Sequence, residues 1–348
     1  MGELRVLQAM AGAKHGGAET FFMRLVPALA RAGLEQRVVI RRDPERATAL
    51  RVQGLEPLEL AFGGILDFTT RRRLRHAIET YAPDLVMTWM NRATVLCPPW
   101  RSTGSRFVHV ARLGGYYDLK YYRRCDHLVG NTPDIVAYLV ASGWPKARAH
   151  YLPNFVDAVA AEAVPRASLA TPEDAPLVLA LGRLHRNKAF DVLLKAMTQV
   201  PGAHLWLAGE GSERRELERE AEWLGLGERV HFLGWRDDAP ALYAAADLLV
   251  CPSRREPLGN VVIEGWAHGV PVVAAASEGP RAYIEDGKSG LLAPVDDAGE
   301  LARAMRRVIE DKALAASLVG GGRIAYTAQF TESAAVARYL EFYRRVAA

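Results

Sequence analysis

The stretch DLLVCPSRREPLGNVVIE, residues 247–264, passes from a short apolar run into a loop and then into a second apolar run. Asp247 to Ser253 reads as a buried strand, because branched and small apolar residues follow one another without polar alternation. Gly259 and Asn260 mark a turn, and the segment after them has helical character. Glu256 and Glu264 stand eight positions apart, one in the loop and one inside the apolar segment beyond it. A carboxylate flanked by VVI and GWAHGVPVV is out of place unless it has a partner.

The same strand-then-helix alternation fills the chain. Strands are expected at 4–10, 36–41, 84–89, 106–111 and 127–131, and helices at 19–32 and 70–81. The Ala- and Pro-rich segment 156–176 lacks a period and reads as a linker. The alternation then restarts, with strands at 177–182, 204–211, 230–234, 247–253 and 271–276. Helices are expected near 189–199, 212–225, 239–246, 261–268 and 299–311. A final helix from about 331 to 346 carries Tyr339, Phe342 and Tyr343 on one face. Such alternation means parallel sheets covered on both sides, an α/β fold of two doubly wound, Rossmann-like domains. The expected division is residues 1–155, a linker at 156–176, residues 177–330, and a terminal helix (331–348) that packs back on the first domain. Ligands of such sheets bind beyond the carboxyl ends of the strands, here facing the cleft between domains.

Composition narrows the function. The 348 residues are 50% hydrophobic, enough for two cores. Cys97, Cys125 and Cys251 are scattered, which fits a reducing, cytoplasmic setting and neither a disulfide framework nor a thiolate metal site. The N-terminus lacks a signal-peptide pattern, and no run of about 18 apolar residues is present. Residues 1–155 hold 22 Lys and Arg against 13 Asp and Glu, so the net +4 hides a basic first half. RRRLR (71–75) and KYYRR (120–124) contribute to it. Such a field suits an anionic partner, for instance the inner face of a cytoplasmic membrane, although arginine-rich helices are as often plain solvated faces.

Two further stretches bear on chemistry. AGAKHGGAE (11–19) follows the first strand with glycines spaced wrongly for a dinucleotide fingerprint, which argues against an NAD enzyme. Gly16 and Gly17 allow close backbone approach, and Glu19 opens the next helix. In GRLHRNK (182–188), Arg183 leaves a strand end and Lys188 follows near a helix start. A forked guanidinium and a mobile ammonium at that place suit a diphosphate.

Taken in order, RLHRNKAFDVLLKA, LWLAGEGSERREL and REPLGNVVIE resemble the carboxyl half of the GT4 family of glycosyltransferases. The resemblance implies a GT-B fold and a retaining transfer from a nucleoside-diphosphate sugar, such as a UDP-sugar, to a glycan or glycolipid hydroxyl. It implies neither a cofactor nor a metal. By the family pattern Glu256 meets donor sugar hydroxyls, Glu264 the ribose, and Arg183 with Lys188 the diphosphate. Leu258, Gly259, Asn260 and Val261 form the turn beside the donor. GGAE, with Gly16 and Gly17, is similar to the family's amino-terminal glycine loop, and Glu19 and Arg112 fall on the acceptor side. His109 is expected at a strand end, where it would reach the donor sugar. Pro257 and Leu258 depart from the family's usual E-G-F-G-L-P, and Ala189 replaces a common glycine. GGYYDLKYYRRCDHLVGNT (114–132) is similar to enzymes of lipopolysaccharide or surface-polysaccharide assembly. Two other classes stay open: a GT-B sugar-nucleotide epimerase, and a basic nucleic-acid-binding protein, for which no recognition motif is present.

Overall fold

Apolar runs too short for helices, separated by helical segments, leave each strand buried on both faces, and parallel pairing follows. The computed structural model describes residues 4–13, 16–64 and 67–348. The chain divides into two units, Met1–Phe155 with Glu332–Ala348, and Val156–Thr331.

In chain order the first unit contains β1 (Arg5–Met10), α1 (Gly17–Arg31), β2 (Glu35–Arg41), α2 (Pro44–Val52) and β3 (Pro57–Leu60). There follow α3 (Phe68–Tyr81), β4 (Leu85–Trp89), α4 (Met90–Leu96), β5 (Val108–Leu113), β6 (His127–Gly130), α5 (Pro133–Ala141) and β7 (Ala149–Tyr151). The second unit contains β8 (Leu177–Leu181), α6 (Phe190–Met197), β9 (His204–Ala208), α7 (Arg214–Trp223) and β10 (Val230–Gly234). It continues through α8 (Ala239–Ala245), β11 (Leu248–Cys251), α9 (Asn260–Ala267), β12 (Val272–Ala275), α10 (Glu278–Tyr283) and β13 (Leu291–Ala293). Its last helices are α11 (Ala298–Glu310) and α12 (Lys312–Gln329), and α13 (Glu332–Ala347) returns to the first unit.

The strand orders are β3-β2-β1-β4-β5-β6-β7 and β10-β9-β8-β11-β12-β13. All pairings between these strands are parallel. Both units are therefore Rossmann-like, and each sheet has one point where the order reverses: β1/β4 in the first unit and β8/β11 in the second.

Period-two alternation builds the layers. In β1, Val6 and Met10 join α1 and α13 in one core, while Leu7 and Ala9 join α3 in the other. Gln8 is buried in the same strand because Trp89 donates to its Oε1 (3.0 Å) and its Nε2 donates to Tyr343 (3.3 Å). Tyr339, Phe342 and Tyr343 of α13 are buried among Phe21, Phe22 and Leu25 of α1. In the second unit Leu177 and Leu179 face one core, Val178 and Ala180 the other.

Residues 156–176, expected as a linker, lie within the second unit. Val156 donates to the Phe330 carbonyl (3.1 Å), and Arg166 holds Asp247 (2.9 Å) and the carbonyls of Ala175 and Ala245. The helix α12 has no counterpart in the sequence reading, and it carries Gly320, Gly321 and Gly322 in its interior. Gly321 and Gly322 serve close packing: a side chain on Gly321 would meet the Lys288 backbone, and one on Gly322 the Trp266 indole.

Candidate functional site

The carboxyl ends of β8 and β11 lie side by side at the reversal of strand order in the second unit. From β8 the chain passes through Gly182 and Arg183 to a tight turn at Arg186–Lys188, then into α6. From β11 it passes through Pro252–Gly259 into α9. The two loops are tied together. The Arg255 amide donates to the Asn187 carbonyl (3.2 Å), and Arg254 donates to the Arg186 carbonyl (2.9 Å) and to Asp191 (2.6 Å).

This stitching brings Lys188 onto Glu256, and the two form a direct ion pair. Glu256, only 8% exposed, is held on every side. It accepts from Ser253 Oγ (3.1 Å) and from the Gly259 amide (3.2 Å), and its own amide donates to Glu278 (3.2 Å). Burial works against the charged Lys188, but Glu256, with Cys251 and Glu264 behind it, outweighs that and raises its pKa above the ordinary lysine value.

Gly259 takes a left-handed conformation (φ 78°), which lets the loop turn abruptly into α9. The first amides of α9, from Asn260 and Val261, have no carbonyl a turn earlier in the helix and form a donor pair at its positive end. Asn260 Oδ1 is buried without a partner. Leu258 is buried beneath the turn. Glu264, on the next turn of α9, accepts a hydrogen bond from Tyr243 Oη of α8 (2.9 Å). Tyr243 stacks on His268 (4.8 Å between ring centres, 12° between planes), and burial followed by Glu264 pushes its hydroxyl pKa well up. Arg183 is exposed and makes no side-chain bond among the described residues, so its guanidinium is available. Tyr243, Ser253 and Glu278 escape a sequence reading. Only Ser253, three residues before Glu256, stands near enough to have been noticed.

In the first unit the glycine loop follows β1 at the β1/β4 reversal. Gly16 precedes α1 and Gly17 begins it. Lys14 and His15 of this loop lie outside the described residues. Glu19, 5% exposed, turns back to accept from the Ala13 amide (2.7 Å), and Arg46 donates to the Ala13 carbonyl (2.8 Å). Glu19 thus holds the Ala13 end of the loop.

Two expectations need correction. His109 is not at a strand end: β5 runs on through Arg112 to Leu113, so the histidine is the second residue of six. Four residues separate it from the carboxyl end, about 13 Å at the usual strand rise. Its ring is 4% exposed, bonded to Thr88 Oγ1 (3.0 Å), and burial lowers its pKa to about 4 despite Asp126. Arg112 is 2% exposed. Its guanidinium lies over Phe21 and Trp89 (4.6 Å to each ring centre), and it bonds Tyr339 (3.1 Å) and Asn154. It braces α13 and has no open face for an acceptor. Among the described residues no three His, Cys, Asp or Glu side chains cluster as metal ligands.

Known proteins with the same pattern extend along the chain. The model of the family "Glycosyltransferase Family 4" matches residues 15–159, and that of "Glycosyl transferases group 1" matches residues 175–311. The lipopolysaccharide core biosynthesis glycosyltransferase LpsE of Rhizobium meliloti (strain 1021) is 38% identical over 335 residues, covering 94% of this chain and 96% of the relative. LpsD of the same organism is 36% identical and covers 95% of both. Among solved structures, Anabaena Alr3699/HepE in complex with UDP superposes with a TM-score of 0.87 at 23% identity, covering 98% of this chain and all of that one. A glycosyltransferase from Rickettsia africae ESF-5 gives 0.88 at 17% identity, covering 99% of each. The likeness in fold is that of a GT-B-like pair of Rossmann-like units, and with relatives this similar over nearly its whole length the chain belongs to the family 4, group 1 glycosyltransferases.

Proposed function

We propose that the protein transfers a sugar, with retention of anomeric configuration, from a UDP-sugar to a hydroxyl of a lipopolysaccharide-core or surface-polysaccharide acceptor. The observation that carries this reading is the grouping at the β8/β11 reversal: a free Arg183, the Lys188–Glu256 pair, and the open amides of α9. Support for the donor and acceptor comes from the UDP held by the HepE structure and from the core-biosynthesis names of the Rhizobium relatives.

In this reading Arg183 and Lys188 face the diphosphate, and the α9 amides add further donors. Glu256 takes hydroxyls of the donor sugar, and Glu264, oriented by Tyr243, takes the ribose diol. Lys188 retains two N–H donors beyond the one directed at Glu256, so it can serve both. As the bond from the anomeric carbon to the β-phosphate oxygen breaks, the cations and amides stabilise the charge gathering on UDP. The acceptor oxygen bonds to that carbon from the same face, and its proton passes to the leaving phosphate. No side chain at this site is placed as a strong base, so the contribution of the chain is position and charge compensation.

The glycine loop, with Glu19 holding its Ala13 end, would serve the acceptor. The basic first unit would favour peripheral contact with an anionic inner membrane face, and no helix among the described residues is long and apolar enough to cross one. The test is to incubate the protein with a panel of UDP-sugars, with and without a core oligosaccharide, and read products by proton NMR. A new linkage with the donor's anomeric configuration supports the proposal. Epimerised donor formed without acceptor would support the epimerase reading instead, and an inverted linkage would refute retention.

A further inference from the structure

The run RRRLR near the start of α3 does not belong to the donor site. Arg71, Arg72 and Arg75 are spaced so that they share one side of the helix. They line a pocket of about 260 Å³ with Leu96, Cys97, Pro98, Pro99 and Arg124. Among the described residues none of these four guanidinium groups has a hydrogen bond or ion pair. Arg71 Nε is moreover buried and without a partner. Among the described residues no carboxylate lines the pocket. Two acids stand four positions from an arginine of the cluster: the N-cap Asp67 is committed to the Gly63 amide (2.6 Å), Thr69 Oγ1 (2.7 Å) and the Thr70 amide (2.9 Å), and Glu79 is exposed and makes no ion pair with Arg75.

We infer that Arg71, Arg72, Arg75 and Arg124 form a receptor for a phosphoryl group. Four like charges gathered around one cavity repel one another, and an anion placed among them turns that repulsion into attraction. Guanidinium forks contributed by α3 and by Arg124 suit a tetrahedral group whose oxygens accept in several directions. A planar carboxylate is served by a single fork. The lining has no aromatic ring on which a base could stack, which disfavours a nucleotide or a nucleic acid strand. Leu96, Pro98 and Pro99 give an apolar flank for the carbon that bears the phosphate. The inference does not rest on the donor-site reading, since every residue involved belongs to the first unit.

The test is calorimetric titration of inorganic phosphate into the Arg183→Gln protein at constant ionic strength, a background that removes a key cation of the proposed diphosphate site. Expected is saturable binding that weakens about tenfold or more when Arg71 and Arg124 are also changed to Gln. An added Arg323→Gln change, at an exposed position of α12, should leave it unaltered. Should that pair of changes lower the melting temperature, Arg72→Gln with Arg75→Gln replaces it, since both side chains are exposed. Absence of saturable binding, or binding indifferent to these changes, overturns the inference. Two further arms identify the source. Sedimentation with phosphatidylcholine vesicles containing phosphatidic acid, lost in the variants, assigns the phosphate to a lipid headgroup. Binding of glucose 6-phosphate with no vesicle association assigns it to a soluble phosphate ester.

Discussion

Lys188 and Glu256, 68 positions apart in the chain, meet as an ion pair between the loops that follow β8 and β11. The pair joins the two halves of the proposed donor site, and both side chains are mostly withdrawn from water, at 25% and 11% exposure. Its contribution is therefore larger than that of a surface pair and smaller than that of a fully buried one.

Glu256→Ala strands the Lys188 ammonium, and a loss of about 2–3 kcal/mol in the second unit is expected from urea unfolding. Replacing both residues by apolar ones, Lys188→Met with Glu256→Leu, should cost less than the single change, because no charge is left uncompensated. The raised pKa of Lys188 sets a direction with pH. Its stabilisation is complete below the unfolded-state lysine value and is lost as pH rises through the folded one. Wild-type unfolding measured between neutral and strongly alkaline pH should show that loss, and Lys188→Met should not.

His109 predicts the opposite edge of the pH range. Its folded pKa of about 4 lies below the ordinary histidine value of 6.5, with burial as the main cause and Asp126 opposing it. Unfolded chains therefore take up a proton that the folded chain refuses. The stabilisation is complete above pH 6.5 and is lost as pH falls from there toward 4, by about 3 kcal/mol in all. His109→Gln should flatten this slope. Some slope should remain, because His150, half-buried beside His127, is lowered to about 4 as well. An unchanged pH profile in the variant would refute the buried, neutral state of His109.

Tyr243→Phe removes the hydroxyl that orients Glu264 while keeping the ring stacked on His268. A hydrogen bond to a charged group is lost, so destabilisation of about 1.5–3 kcal/mol is expected. If Glu264 holds the ribose, the donor KM rises several-fold while kcat changes little, since the contact is made equally in ground and transition states. Steady-state kinetics with the donor varied would show this. A fall in kcat at constant KM would point to a different part for Glu264.

How far the sequence was legible depended on whether a signal was local. Short apolar runs and helical periods marked β1, β8, β11 and α13, because layer formation writes itself into consecutive residues. The paired spacing of Glu256 and Glu264, and of Arg183 and Lys188, singled out one corner of the second unit. His109 was misplaced because Arg112 looks like the end of a strand, and only tertiary packing against Phe21, Trp89 and Tyr339 allows a guanidinium to continue β5 inside the core. Helix α12 was missed for a similar reason, since Gly321 and Gly322 within it admit the Lys288 backbone and Trp266. Tyr243 and Glu278 reach the site from other elements, 21 and 22 positions from their partners Glu264 and Glu256, and no local pattern reports such a meeting.

Arg183 offers the most direct measurement. Its guanidinium is exposed and makes no bond within the described chain, so Arg183→Ala should leave stability within about 0.5 kcal/mol of wild type. Its proposed partner is the diphosphate of the donor. Calorimetric titration of UDP should therefore show at least a tenfold weaker affinity in Arg183→Ala, with turnover of the UDP-sugar reduced about a hundredfold and the melting temperature unmoved. UDP binding and turnover equal to wild type would contradict the placement of the donor diphosphate at the β8/β11 reversal.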